Sequence, residues 1–214
     1  MRITKYSHAC VRIERDGAVL VIDPGSLSEP ESVDGADAVL VTHEHFDHLD
    51  VGKLADALAK RPSVAVYTHP DVVSKLSELE GVVNPVVPGD SFRAAGFAIR
   101  AYGGLHAIIH PEIPRVANVA FFVEGDGDAG GVYHPGDSFD VPSDAVVDTL
   151  FVPVAAPWLK IAEAIEFVRQ VKPRRAYNLH DALYTEVANE VVTGALQRMS
   201  GCSYERLLPG TSVG

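Results

Sequence analysis

Cysteine is scarce: Cys10 and Cys202 are the only two in 214 residues, and they stand at opposite ends of the chain in unrelated contexts. That arrangement supplies neither a disulfide framework nor a thiolate metal site, and it fits a reducing compartment, so a cytoplasmic location is expected. Positive charge is also short. Lys and Arg number 18 against 29 Asp and Glu, a formal net charge of −11. This argues against a nucleic-acid partner, because phosphate binding needs a basic surface to displace condensed counterions. No segment approaches the ~20 apolar residues that span a bilayer, and Met1-Arg2-Ile3-Thr4-Lys5-Tyr6 leads to His8 without the apolar core of a secretory signal. A membrane partner is therefore not expected. Low-complexity tracts, linkers and repeats of fixed period are missing too. A single domain over residues 1–214 is the expectation, and a homo-oligomer is left open.

What is present is a strand-rich chain with a few helical stretches. Ala9–Glu14 and Ala18–Ile22 flank Arg15-Asp16-Gly17, whose Asp-Gly suits a tight hairpin. Ala38-Val39-Leu40-Val41 is a short continuous apolar run, the pattern of a strand buried on both faces, and it leads directly to His43. Asp50 is a candidate N-cap for a helix carrying Val51, Leu54, Ala55 and Leu58 at helical spacing. A strand at Val64–Tyr67 precedes a second helix that Pro70 opens and Gly81 closes. Strands are predicted at Phe97–Tyr102, Val119–Val123 and Val132–Tyr133, with a histidine-rich loop from Gly103 to Ala117. A strand at Leu150–Val154, a helix at Ile161–Val171, a strand at Arg175–Asn178 and a helix from about Thr185 to Ser200 complete the chain. This α/β pattern is satisfied by two mixed β-sheets packed on each other and flanked by helices.

The chemistry concentrates in His43-Glu44-His45-Phe46-Asp47-His48. In extended chain, residues i and i+2 point the same way, so His43 and His45 can approach one ion together as the chain leaves its strand. Asp47 and His48 then face a second ion. Imidazole and carboxylate are common catalytic-site ligands for Zn²⁺, Fe and Mn²⁺. A polar turn that merely solvates a strand end would not gather three of the chain's nine histidines around one aspartate.

The run, with the strand before it and the helix after it, resembles the His-x-His-x-Asp-His motif of the metallo-β-lactamase superfamily. That family also has an Asp closing an early strand, then downstream a lone His, a Gly-Asp pair and a late His. Here Val21-Ile22-Asp23-Pro24-Gly25, Leu105-His106, Pro135-Gly136-Asp137-Ser138 and Asn178-Leu179-His180-Asp181 follow that order. The resemblance implies an αββα sandwich and two divalent metal ions, Zn²⁺ first, with Mn²⁺ or Fe as alternatives. It implies that His43, His45 and His106 hold one ion, that Asp47, His48 and His180 hold the other, and that Asp137 bridges them. The third ligand of the first ion is open between His106 and His110, and His106 is preferred because it closely follows the strand at Phe97–Tyr102. Two close ions can share a bridging hydroxide whose pKa falls towards ~7. Asp47 is the candidate catalytic base beside it. Asp23 reads as a carboxylate that orients a metal-bound histidine. The opening Tyr6-Ser7-His8-Ala9-Cys10-Val11-Arg12-Ile13-Glu14 is similar to the branch that contains L-ascorbate 6-phosphate lactonase. His8 and His110 are accordingly weighed as outer groups near substrate, against ordinary structural or surface roles.

Other chemistry-bearing residues have plainer readings. His69 and His134 are expected to be structural, and Asp90 and Asp140 to be turn residues. Trp158 either borders the cleft or caps the core. Arg100, Arg115 and Lys160 are scattered in sequence, so only the fold could bring cations to a substrate phosphate. The expected function is metal-dependent hydrolysis of a small-molecule ester, lactone or phosphoester. An iron-dependent redox or sulfur-oxidising activity is the alternative, although the resemblance would lead one to expect a carboxylate at position 45 in the flavin-diiron branch. RNA cleavage and non-catalytic metal binding rank below both.

Overall fold

The computed structural model describes residues 1–76, 79, 83–127 and 130–214. Its first half contains β1 (Arg2–Lys5), β2 (Val11–Arg15), β3 (Ala18–Ile22), β4 (Ala38–Val41), α1 (Val51–Lys60), β5 (Ala65–Thr68), α2 (Pro70–Val73) and β6 (Val83–Pro85). The second half contains β7 (Ser91–Ala94), β8 (Phe97–Leu105), β9 (Ala117–Val123), β10 (Gly131–His134), β11 (Val147–Pro153), α3 (Ile161–Val171), β12 (Arg175–Leu179), α4 (Glu186–Met199), β13 (Ser203–Glu205) and β14 (Thr211–Val213). The strands form two seven-stranded sheets, ordered β14-β1-β2-β3-β4-β5-β6 and β13-β12-β11-β10-β9-β8-β7.

Local sequence accounts for the principal elements. Asp16 and Gly17 both take positive φ, 53° and 82°, the conformation a two-residue type I′ turn demands. They join β2 and β3 as an antiparallel pair. β4 is buried along its whole length and pairs in parallel with β3 and β5, which is why it reads as unbroken apolar sequence. Asp50 caps α1 by accepting from Lys53 N–H at 3.0 Å.

Three apolar layers result. Ile13, Leu20, Ile22 and Leu40 of the first sheet meet Phe97, Phe121, Phe151 and Leu179 of the second in the central core. Val21, Val39, Val41 and Val66 turn outward to Leu54 and Ala57 of α1. Leu150, Val152 and Ala176 turn outward to Ala164, Phe167 and Val168 of α3 and to Val192 and Leu196 of α4. The αββα sandwich expected from the sequence is the observed architecture. Among the described residues, no helix is long and apolar enough to cross a membrane.

Several boundaries differ from the sequence reading. β8 runs to Leu105, because Gly103 and Gly104, at φ 85° and 154°, stay paired with Val119 and Asn118; the loop therefore spans 106–116. The second helix is a four-residue turn of α-helix followed by a 3-10 turn over Ser74–Leu76, and the expected stop at Gly81 lies outside the described residues. The short strands β1, β6, β7, β13 and β14 were not expected. β14 joins β1 through Ile3 opposite Val213, a pairing of the two chain ends that no local pattern announces.

The loop after β4 is fixed by backbone proximity. A Cβ on Gly25 would lie 1.9 Å from the Asp47 carbonyl oxygen and 2.5 Å from His48 N, whereas one on Gly52 would meet only Asp50 Oδ1 at 3.4 Å. Gly25→Ala is expected to lower stability by about 1–3 kcal/mol or more through overpacking. Gly52→Ala is expected to leave stability unchanged or raise it by less than ~1 kcal/mol. Urea unfolding of the two variants checks the pair, and equal midpoints would refute the close approach.

Candidate metal centre

The site lies where both sheets deliver chain ends to one edge. β4 passes through Thr42 into His43, β3 ends at Asp23, β8 leads to His106, β10 to Asp137, and β12 to His180. One hydrogen bond joins the sheets at this point, from Val119 N–H to Thr42 O at 2.9 Å.

Asp23 is the buried anchor. Its Oδ1 accepts Thr42 N–H at 2.7 Å, and its Oδ2 accepts Thr42 Oγ1–H at 2.7 Å and His48 Nδ1–H at 2.7 Å. Having given its proton to Asp23, the Thr42 hydroxyl accepts from His43 Nδ1 at 3.0 Å. His106 Nδ1 and His180 Nδ1 face the carbonyl oxygens of Ala107 and Ala155 at 2.6 and 3.1 Å. In all four rings Nδ1 has an oxygen partner, which leaves each Nε2 as the nitrogen whose lone pair a cation would take, that of His48 once its proton is displaced.

These lone pairs converge in two groups. His43, His45, His106 and Asp137 offer ligand atoms within 4.8 Å of one another, as do His8, Asp47, His48 and His180. Asp137 stands between them: Oδ2 lies 3.1 Å from His106 Nε2, while Oδ1 lies 3.0 Å from His48 Nε2 and 2.8 Å from His180 Nε2. Oδ1 is buried and makes no properly directed hydrogen bond with either nitrogen. His48 Nε2 and His180 Nε2 are themselves 2.9 Å apart. Lone pairs aimed at one point rather than at each other's protons suit a cation, so the donor sets fit divalent metal.

The electrostatics point the same way. Burial works against charge on His48, yet Asp137 and Asp23 raise its pKa well above the usual imidazole value. Burial and the neighbouring His48 push His43 well below it. Burial opposes ionisation of Asp137, but His180 and His48 hold its carboxyl well below the ordinary range. Asp47, facing His8 and His48, falls to about 2 despite burial. The cluster holds its carboxylates ionised and draws positive charge inward.

Of the residues singled out from sequence, His8, Asp23, His43, His45, Asp47, His48, His106, Asp137 and His180 are brought together. His110 is not: it is an exposed loop residue whose Nδ1 accepts Glu112 N–H at 3.2 Å, whereas His106 stands in the group with His43, His45 and Asp137. His134 is structural, contacting Ala9 O at 2.8 Å, and His69 caps α2. Asp90 closes a turn by accepting Val87 N–H. Trp158 borders the site, its Nε1 donating to Asp137 Oδ2 at 3.1 Å. Thr42 and Asn118 escaped the sequence reading; Asn118 Oδ1 accepts Asp137 N–H at 3.0 Å while Nδ2 donates to Pro135 O at 2.9 Å. So did Lys5, a fully buried cation 3.2 Å from Asp181, the residue after His180.

A pocket of about 120 Å³ opens beside His45 and His106, walled by Ile109, Ile113, Pro114 and Val116, with Arg115 its charged lining residue. Arg115 is held by the carbonyls of His106 and Leu105 at 2.5 and 3.3 Å. Arg100 lines a separate cleft of about 340 Å³, where Asp144 pairs with it at 3.1 Å.

The sequence profile of the Beta-lactamase superfamily domain matches residues 2–180. Protein Rv0786c of Mycobacterium tuberculosis is 36% identical over 214 residues, covering 100% of this chain and 99% of that protein. A UPF0173 metal-dependent hydrolase of Aeropyrum pernix is 29% identical over 84% of this chain and 81% of its own. Among solved structures, Igni18, a metallo hydrolase of Ignicoccus hospitalis, superposes with a TM-score of 0.78 at 17% identity, covering 99% of this chain and 97% of that one. Profile, relatives and fold agree along nearly the whole chain, which belongs to the beta-lactamase superfamily.

Proposed function

We propose that the protein is a metal-dependent hydrolase that holds two divalent ions, Zn²⁺ before Mn²⁺ or Fe, and cleaves a small ester, lactone or phosphoester. The observation that carries this reading is Asp137, whose two carboxylate oxygens face different donor groups. His43, His45 and His106 would hold one ion, Asp47, His48 and His180 the other, with Asp137 between. When bound, such ions supply Lewis acidity and a water of lowered pKa as nucleophile at neutral pH.

The chain's own residues do the rest. Asp47, ionised and half-buried, orients the attacking water and accepts its proton. Asp23 fixes the His48 ring and its tautomer through the 2.7 Å contact. Trp158 N–H holds the Asp137 carboxylate in place by donating to Oδ2 at 3.1 Å. The small apolar pocket favours a compact substrate, and Arg115 at its wall suits one that carries a carboxylate or phosphate. Metal-dependent hydrolase is also the description printed for the Aeropyrum relative. The thiol of Cys10, which burial pushes up to about 12, is inert and consistent with a cytoplasmic setting.

The decisive experiment strips metal with a chelator, reloads the protein with Zn²⁺ or Mn²⁺, and assays lactones, nitrophenyl esters and phosphodiesters against measured metal content. Two equivalents per chain and chelator-reversible turnover are expected. Stoichiometric iron with no hydrolysis of any substrate would overturn the reading. Asp47→Ala should lower kcat by ~10²–10⁴-fold at full metal occupancy; unchanged turnover would exclude its role as base. Asp23→Asn should weaken metal binding by ~10–100-fold, read by competition with a zinc chelator. Arg115→Ala should raise KM for anionic esters about 10-fold, equivalent to ~1.4 kcal/mol, and leave neutral esters unaffected. An equal change for both kinds would assign Arg115 to holding His106 instead.

A further inference from the structure

His8 belongs to the group around Asp47, His48 and His180. Its side chain is fully buried. Its ring stacks on His180 with centroids 4.3 Å apart and planes 21° from parallel, and Nε2 lies 2.9 Å from Asp47 Oδ2. Its carbonyl accepts His180 N–H at 3.2 Å. The backbone is at φ 60°, a left-handed conformation that a histidine holds only where its surroundings impose it. Here they do: Ser7, the preceding residue, is gripped through both N–H and Oγ by Glu29 at 2.9 and 2.5 Å, and Tyr6 N–H closes a turn onto Cys10 O at 2.9 Å.

Its role follows from which nitrogen carries the proton. A histidine that ligates through Nε2 carries its proton on Nδ1, and that N–H needs an acceptor when buried. His43, His48, His106 and His180 each have one, in Thr42, Asp23, Ala107 and Ala155. His8 Nδ1 is buried with no partner among the described residues. A ligating tautomer would strand an N–H donor there. The opposite tautomer leaves only an acceptor unpaired and lets Nε2–H donate to the Asp47 carboxylate at 2.9 Å. We infer that His8 is not a metal ligand but a positioning residue: its Nε2–H holds Asp47 Oδ2, which leaves Oδ1 to serve the ion and the attacking water. Because its carbonyl also takes the His180 N–H, His8 fixes the spacing between two members of the same donor group.

The assignment rests on the metal-hydrolase reading for its purpose, but the tautomer can be measured without it. Imidazole ¹⁵N spectra of the zinc-loaded protein should show His8 protonated at Nε2, and His43, His48, His106 and His180 protonated at Nδ1. A His8 signal protonated at Nδ1 would overturn the inference even if turnover were normal. In parallel, metal-free wild type, His8→Ala and His8→Gln are titrated with Co²⁺ and followed by the visible bands. Wild type should take two ions. His8→Ala should bind the first ion as wild type does and the second ~10–100-fold more weakly, with kcat reduced more than KM. His8→Gln, whose amide can donate to Asp47, should recover most of that loss. Equal affinities in wild type and His8→Ala would overturn the positioning role. Loss of one ion in both variants, with a changed band pattern at the remaining sites, would make His8 a ligand. Wild type binding a single ion with the Nε2–H tautomer intact would defeat the two-ion reading and leave the His8–Asp47 contact standing. Far-UV circular dichroism of each variant separates these outcomes from misfolding.

Discussion

The carboxylate of Asp23 ties together the ends of two parallel strands and the first turn of the motif loop. It takes the backbone N–H and hydroxyl of Thr42 and the Nδ1–H of His48 at 2.7 Å each. A buried carboxylate is costly unless its acceptor positions are filled, and here donors fill them from β4 and from the loop that follows it. Everything downstream inherits that geometry. Thr42 then has its hydroxyl lone pair free for His43, and its carbonyl meets the second sheet at Val119. Removing this one group would loosen a ring orientation, a hydroxyl and a sheet-to-sheet contact together.

The site combines residues delivered from strand ends with a rim built by a loop. The candidate ligands follow the ends of β4, β8, β10 and β12, whose positions are set by the aromatic and aliphatic packing between the sheets. The segment 106–116 forms the pocket wall and exposes Ile108, Ile109 and Ile113. The donor groups thus sit on the scaffold, and the adjoining pocket is walled by the loop.

Much of this was legible in the amino-acid sequence, for identifiable reasons. Ala38–Val41 is apolar throughout because both faces are covered, and Ile161–Val171 shows helical periodicity because one face packs on β11. His43 to His48 stands out because donors only a few residues apart lie in one loop. The order and expected convergence of His106, Asp137 and His180 were readable only through family resemblance, since no local pattern joins residues so far apart in sequence. The short strands β1, β13 and β14 are three or four residues long, and such pieces become strands only because a neighbour is present. Thr42, Asn118 and Lys5 are ordinary polar residues in sequence; their roles arise from partners 19 to 176 positions away. Residue type alone does not separate His106 from His110; the fold buries the first and exposes the second.

The bond from Val119 N–H to Thr42 O carries one more consequence. It crosses from one sheet to the other at the point where His43, from the first half of the chain, meets His106 and Asp137 from the second. Neither half can assemble a donor group alone, since each group mixes residues from both. Metal affinity and the docking of the two halves are therefore one equilibrium seen from two sides. Any ion that the groups bind acts as a clasp across the sandwich, and its release loosens the union of the halves as well as the catalyst.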